Sequence, residues 1–320
     1  MKMNKFSNIN TFMGMENPYD KSDIVVYGAG FDGTTSNRPG ARFASSSMRP
    51  EFYGLETYSP ILELDLEDFK ICDMGDLDLS IGDTDKVLQE IYEGTKQIIQ
   101  DNKIPFMIGG EHLVTLPAFK AVYEKYEDVY ILHFDAHTDL REEYNNNKNS
   151  HATVIKRIWD IVGDNKIYQF GIRSGTKEEF DFSLKENHTY MEVGNINTFK
   201  DIVDKLEYKK IYITIDLDVF DPSIFPGTGT PEPGGVTYRE FENIFSILKN
   251  SNVDIVGCDI VELSPDYDNT KVSTVLACKV LRELALVLGY NNEKNKNKRQ
   301  LGHRKREKSA YYIRNMSGNV

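Results

Sequence analysis

Three short segments of this 320-residue chain concentrate the residue types that hold metal ions: GGEHL at 109–113, DAHTD at 135–139 and DLDVFDP at 216–222. On extended backbone, side chains two residues apart face the same way. Asp135, His137 and Asp139 can therefore converge if the chain stays extended through them, as can Asp216 and Asp218. Four carboxylates at close range repel one another and lose acidity unless cations neutralise them, and two divalent metals would balance the set. The donors are mostly oxygen, with two imidazoles (His112 and His137) and no thiolate. That set suits manganese, whereas structural zinc usually recruits cysteine. Metals held about 3.5–4 Å apart can share one water, lower its pKa and present it as hydroxide, so the chemistry expected is metal-assisted hydrolysis. Taken singly, each Asp or His reads as readily as a turn cap or a packed side chain. The set does not, because four of the six histidines lie between His112 and His151 and five acidic residues share the strand ends with them.

The elements that must position these groups are legible as apolar runs rich in β-branched and aromatic residues. They begin near Ile24, Pro105, Val129, Lys166, Ile211 and Val253. Amphipathic stretches at 84–102, 117–126, 154–162, 199–206, 238–249 and 272–288 lie between and after them with helical spacing. Alternating strands and helices predict an α/β fold, a mostly parallel central sheet with helices on both faces, in which the site lies beyond the carboxyl ends of the strands. His112, Asp135, His137, Asp216, Asp218 and Glu262 all follow such runs. With no internal repeat and no Pro- or Ser-rich linker, residues 1–289 read as one catalytic domain. Residues 290–320 carry nine Lys or Arg against two Glu and almost no apolar periodicity, so a basic, disordered tail is expected there.

A formal net charge of −12 argues against nucleic acid as a partner and favours a small cationic one. The first thirty residues show no apolar leader, and no window is long enough to span a bilayer. Cys72, Cys258 and Cys278 are widely spaced in apolar surroundings and read as packed thiols. A soluble protein of a reducing compartment, the cytoplasm, is expected.

In combination, FDGTTSNRPGARFAS, IGGEHL, HFDAHTDL, NSHAT, FGIRSG, DLDVFDPSIFPGTGTPEPGG and DIVELSPDYD resemble the motifs of the ureohydrolase family, which includes arginases and agmatinases, over residues 19–289. The resemblance implies a three-layer arginase-like fold and two Mn(2+) per subunit. One ion would be held by His112, Asp135, Asp139 and Asp216, the other by His137, Asp135, Asp216 and Asp218. It also implies that His151 shuttles a proton to the leaving amine, that Glu262 pairs with the substrate guanidinium, and that subunits assemble as trimers or hexamers. Arginase-like members hold the substrate carboxylate with a loop resembling DINTP and SGN, and this chain has LREEYNNNKNSHAT instead. Together with a likeness to bacterial agmatinases, that departure implies hydrolysis of agmatine to putrescine and urea. Guanidinobutyrate or arginine is the alternative. Glu142 and Glu143 are candidates for attracting a distal ammonium, and Ala152 stands where many members have Gly.

Other signals are weaker. Gly28–Gly33 satisfies GxGxxG after a strand, but the turn-forming TTSNRPGAR that follows offers no helix for a pyrophosphate. GTGTPEPGG at 227–235 lacks the lysine of a phosphate loop and reads as a rigid pocket wall. His133, two before Asp135 on the same strand face, reads either as a donor to Asp135 or as a packed strand histidine, Asp259 as a candidate support for Glu262, and Asp221 as a turn residue. The related deacetylase fold shares the strand pattern, but its single zinc does not need both acidic segments. A non-catalytic scaffold would be expected to have lost a ligand, and none is missing.

Overall fold

The computed structural model describes residues 11–185 and 188–317, with side chains placed through Lys298. Eight strands form one sheet: β1 (Ile24–Ala29), β4 (Ile71–Asp76), β5 (Ile104–Gly109), β6 (Val129–Phe134), β7 (Ile167–Ile172), β8 (Tyr190–Val193), β9 (Lys210–Asp216) and β10 (Asp254–Val261). Their order is β4-β1-β5-β10-β9-β6-β7-β8, and every neighbouring pair is parallel. A two-stranded antiparallel pair, β2 (Tyr58–Ser59) and β3 (Leu64–Asp65), stands apart.

Parallel strands need crossover elements, and here these are α1 (Ala44–Phe52), α2 (Thr84–Gln100), α3 (Thr115–Tyr126), α4 (Val154–Val162), α5 (Lys177–Leu184), α6 (Phe199–Lys205) and α7 (Tyr238–Asn250), while α8 (Val272–Ser317) follows the last strand. Alternation along β1 shows why both faces are covered. Ile24 and Val26 pack in one core with Ala44, Met48 and Phe52 of α1, whereas Val25, Tyr27 and Ala29 pack in another with Val87, Ile91 and Ile98 of α2. The expected three-layer α/β architecture is present. Two strands had no counterpart in the apolar runs. They are β4 and β8, the sheet's edges, where half-exposed and charged residues interrupt the pattern.

The expected disordered tail meets a different structure. Helix α8 crosses residue 290 without interruption and reaches Ser317. Its first half packs in the core through residues such as Leu281, Leu284 and Leu288, and beyond residue 290 its contacts are polar: Lys294 Nζ donates to the Ser251 carbonyl (2.7 Å), Asn295 to Asp254 (2.9 Å) and Lys296 to Asp23 (2.6 Å). These partners sit at the amino ends of β1 and β10, opposite the strand ends that carry the candidate ligands. Residues 1–10, part of the stretch expected to lack a leader, and 318–320, the end of the expected tail, lie outside the described residues. Among the described residues no helix is long and apolar enough to cross a membrane, and all three cysteines are buried and unpaired.

Candidate metal centre

Sheet order brings together what the sequence scatters. The chain runs from β5 to β6 across a gap later filled by β10 and β9, so four adjacent strands end side by side at the point where the winding reverses. His112 comes from the turn after β5, and Asp135, His137 and Asp139 follow β6. Asp216 ends β9, Asp218 follows it, and Glu262 follows β10. All of these groups except His137 are buried.

His112 Nδ1 lies 3.0 Å from Asp135 Oδ2, 3.1 Å from Asp139 Oδ2 and 3.3 Å from Asp216 Oδ2. His137 Nδ1 lies 3.0 Å from Asp218 Oδ2 and 3.5 Å from Asp135 Oδ1. Asp135 thus faces both imidazoles. Backbone amides fix the carboxylates in turn: His137 N–H donates to Asp135 Oδ1 (2.5 Å), Asp218 N–H to Asp216 Oδ1 (2.9 Å) and Ala136 N–H to Asp218 Oδ1 (3.1 Å). Asp216 therefore caps the turn at Leu217–Val219 while its other oxygen faces His112. One side chain thus caps the turn and still presents an oxygen to His112.

The convergence of Asp135, His137 and Asp139 does not come from continued extension. Strand β6 stops at Phe134, and Asp139 adopts φ +51°, a left-handed turn that folds its carboxylate back to His112. Glu262 is likewise left-handed (φ +67°) and accepts the His112 backbone N–H at 2.8 Å. Such conformations in non-glycine residues cost of order 1–3 kcal/mol and concentrate at functional sites.

The supporting groups can be assigned from donor and acceptor logic. Gln169 takes the Thr189 hydroxyl on its oxygen and gives its amide to the Thr138 carbonyl and to His133 Nδ1. His133 Nδ1 is therefore an acceptor, its proton sits on Nε2, and it donates to Asp135 Oδ2 at 2.9 Å. His133 stands near enough to Asp135 and Asp139 to join them around an ion, but this tautomer makes it a donor behind Asp135. Asp259 does not meet Glu262 as expected. It accepts from Tyr212 and Thr214, each at 2.6 Å, and Thr214 in turn holds His112 Nε2 at 3.0 Å. Asp221 takes the amides of Ser223, Gly234 and Gly235 and so shapes the 221–235 loop. From that loop Thr230 reaches Asp218 Oδ2 (3.2 Å).

The electrostatics of the side chains are those of a site that needs positive charge. Burial and then Asp218 and Asp135 push Asp216 well above the carboxylate range. Burial and Asp135 push Asp139 up to about 7. Burial opposes charge on His112, yet the surrounding carboxylates hold its pKa well above the usual histidine value. Burial also works to raise Asp135, but His112, His133 and His137 outweigh it and keep the group ionised. His112 Nδ1 tests the fit to a cation: it is buried among three carboxylate oxygens and makes a hydrogen bond with none of them. One imidazole nitrogen and three carboxylate oxygens around a shared point suit a cation, which would displace the ring's extra proton. The groups that could hold ions are His112 with Asp135, Asp139 and Asp216, and His137 with Asp135 and Asp218.

A cavity of about 260 Å³ opens over this cluster, lined by His137, Asp139 and Asp216, with His151 and Glu262 beside them. Burial, His137 and His112 lower the pKa of His151 to about 4, so its ring is neutral near pH 7. Burial and Glu111 raise that of Glu262 well above the usual range. Glu142 and Glu143 do not line the cavity. Glu142 pairs instead with Lys156 and Arg157, both at 3.2 Å. A further acidic group lining the cavity is Glu179, which the sequence reading missed; it is buried and accepts from the Thr138 hydroxyl (2.6 Å) and the Leu140 (3.1 Å) and Thr176 (2.7 Å) amides. Its only sequence signal is the capping pair Thr176-x-x-Glu179 of α5, which says nothing of a pocket. Arg141 lies beside it (Nε to Glu179 Oε2, 3.6 Å) and over the ring of Tyr144.

A parallel α/β sheet with an oxygen-rich His/Asp cluster, able to hold metal, at its switch point is the frame of a hydrolase. Residues 22–287 match the model of the arginase family, and the chain belongs to that family of hydrolases. It is 42% identical to an agmatinase of Bacillus anthracis over 84% of this chain and 92% of the relative. It is 37% identical to an N(1)-aminopropylagmatine ureohydrolase of Thermococcus kodakarensis, over 77% of this chain and 84% of the relative. A crystal structure of a provisionally named agmatinase from Clostridium difficile superposes with a TM-score of 0.84 at 74% identity, covering 85% of this chain and 99% of that one.

Proposed function

We propose that the protein is an agmatinase that hydrolyses agmatine to putrescine and urea. The observation that carries this reading is the buried cradle of two imidazoles and four carboxylates beneath a cavity that also presents Glu262 and His151. The relatives named for agmatine and for its aminopropyl derivative support a guanidine with an amine tail. Two Mn(2+) suit the donor set: one with His112, Asp135, Asp139 and Asp216, the other with His137, Asp135, Asp216 and Asp218. When bound, they supply charge neutralisation and lower the pKa of a water.

The chain's own residues do the rest. Glu262 offers a carboxylate to the planar guanidinium and sets its carbon over the cradle. His151, neutral at the working pH, takes the proton released as water attacks and gives it to the departing amine nitrogen. The C–N bond to the alkyl chain then breaks, and urea and a protonated amine leave. Glu179, which lines the cavity outside the cradle, offers a carboxylate to the distal ammonium. Buried thiols support a cytoplasmic setting, and the family likeness supports a homotrimer or hexamer, which size-exclusion chromatography with light scattering would test.

One observation favours a second reading. Among the described residues that line the cavity, Arg141 is the only Lys or Arg, and it would suit a substrate ending in a carboxylate, such as guanidinobutyrate. Urea release by the Mn-loaded full chain from agmatine, 4-guanidinobutyrate and arginine separates the two. Agmatine should be the fastest, and a preference for either acid would overturn the proposal.

A further inference from the structure

The scheme above leaves unused a buried carboxylate two residues from the end of β5, and it leaves without a task the glycine-rich segment that follows β1. The structure joins the two. Glu111 is fully buried, and its oxygens accept the Thr34 backbone N–H (3.1 and 3.0 Å), the Thr34 hydroxyl (2.6 Å) and the Thr35 hydroxyl (2.9 Å). Thr34 Oγ1 also receives the backbone N–H of His151 at 3.1 Å. That amide can only donate, so Oγ1 accepts there and directs its own proton to Glu111. Two residues on, Ser36 Oγ lies 3.0 Å from His151 Nε2 and lines the cavity. The segment thus touches His151 at both its main chain and its ring.

The attachment of this segment to β5 is tight. Gly110 N–H donates to the Ala29 carbonyl (2.9 Å) and Glu111 N–H to the Phe31 carbonyl (2.7 Å). A Cβ at Gly110 would fall 1.8 Å from the Phe31 oxygen, so only glycine permits this approach. At its far end Asn37 donates to the Gly229 carbonyl (3.0 Å), and Asp32 accepts the Gly40 N–H (2.8 Å). The segment is a strap fixed at several points, with the Glu111–Thr34–His151 bonds at its centre.

We propose that Glu111 and Thr34 are positioning residues that hold His151 in place through the Thr34 hydroxyl, and that Ser36 orients its ring. This rests on the proposed role of His151. Holding the backbone amide sets where the histidine sits, and holding Nε2 sets where its lone pair or proton points. A general acid–base group contributes only when both are right.

Thr34→Val keeps the side-chain volume and removes the bridging oxygen, while Thr34→Ser keeps the oxygen. In the Mn-loaded full chain, Thr34→Val is expected to lower kcat for urea release by about tenfold or more. That is part of the roughly hundredfold or greater contribution of such a group. KM and metal content should stay near wild type, and Thr34→Ser should restore most of the rate. In a His151→Ala background Thr34→Val should add nothing, because both changes act through one group.

A readout independent of turnover is mass-mapped carbethoxylation of His151 by diethylpyrocarbonate. It should run several-fold faster in Thr34→Val and in Ser36→Ala than in wild type. Equal labelling rates, an undiminished Thr34→Val effect in the His151→Ala background, or loss of metal in Thr34→Val would overturn the proposal. If wild type cuts no guanidine while the labelling rates still differ as expected, the agmatinase reading fails and the strap's hold on His151 stands.

Discussion

The floor and the rim of the cavity are built in different ways. On the floor, the buried carboxylates follow strands β6, β9 and β10, and all but Asp139 are held by a backbone amide: Asp135 by His137, Asp216 by Asp218, Asp218 by Ala136 and Glu262 by His112. On the rim, Arg141 and Tyr144 stand on a loop, and the Arg141–Glu179 separation of 3.6 Å exceeds a hydrogen bond. Groups on strands are placed by the fold, whereas groups on loops can be re-placed at small cost. The contrast implies that the floor fixes the reaction and the rim selects the substrate.

The largest effect should come from the centre of the floor. Asp135 faces both imidazoles and also receives His133, so Asp135→Ala removes a partner from each half of the cradle. Urea release should fall about a thousandfold or more, and bound metal should fall with it. Mass spectrometry of the metal content checks this, and a variant that retained two ions would contradict the bridging role. One step behind the floor, Thr214→Val strips His112 Nε2 of its partner and removes one hydroxyl donor from Asp259. Groups placed this way usually change metal affinity by about 10–100-fold, which a competition titration with a chelator measures. A Thr214→Val protein with unchanged affinity would mean that the floor does not depend on what stands behind it.

The floor should also show itself in the pH dependence of stability. Asp139 (about 7), Asp216 and Glu262 all hold protons more tightly folded than unfolded, as His112 and His137 do. Their contribution is complete below the unfolded pKa values and is lost as pH rises through the folded ones. Protein stripped by chelator should therefore melt at lower temperature at about pH 8.5 than at about pH 6.5. Added Mn(2+) should raise the melting temperature more at the higher pH, because protons no longer compete for the ligands. The opposite trend in a thermal scan would show that these carboxylates are not the ones meeting the ion.

The same contrast explains what was legible in the sequence. Strands β5, β6, β9 and β10 are buried on both faces, so each reads as an apolar run with its donors at the end. The edges β4 and β8, with Asp73, Asp76 and Glu192 in short and partly exposed runs, carry no such signal. Left-handed turns at Asp139 and Glu262 are invisible to a period-two argument, which reached the right group of residues by the wrong path. Asp259 was assigned to its neighbour in sequence, but adjacent strands β9 and β10 give it to Thr214 and, through it, to His112. The rim was read least well because its acidic residue arrives from a separate element: Glu179 caps α5, while Glu142 and Glu143, nearer to DAHTD in sequence, point elsewhere. Beyond residue 290 the helix is tethered by lysine and asparagine contacts that leave no apolar period to detect.

The smallest effect should come from the rim, and its direction matters more than its size. The Arg141 side chain is 37% exposed and stacks over Tyr144, whose ring meets that of His151 edge-on. Its charge opposes a distal ammonium and attracts a distal carboxylate. A partly exposed charge is worth at most about 1 kcal/mol, or roughly fivefold in a rate ratio. Arg141→Ala should therefore keep its metal and most of its rate, while raising the preference for agmatine over 4-guanidinobutyrate by about threefold to fivefold in kcat/KM. Glu179→Gln should move the same ratio the other way. If both variants instead lost metal, the rim would be part of the floor. If neither moved the ratio, selection would lie in the shape of the cavity rather than in the charge on its wall.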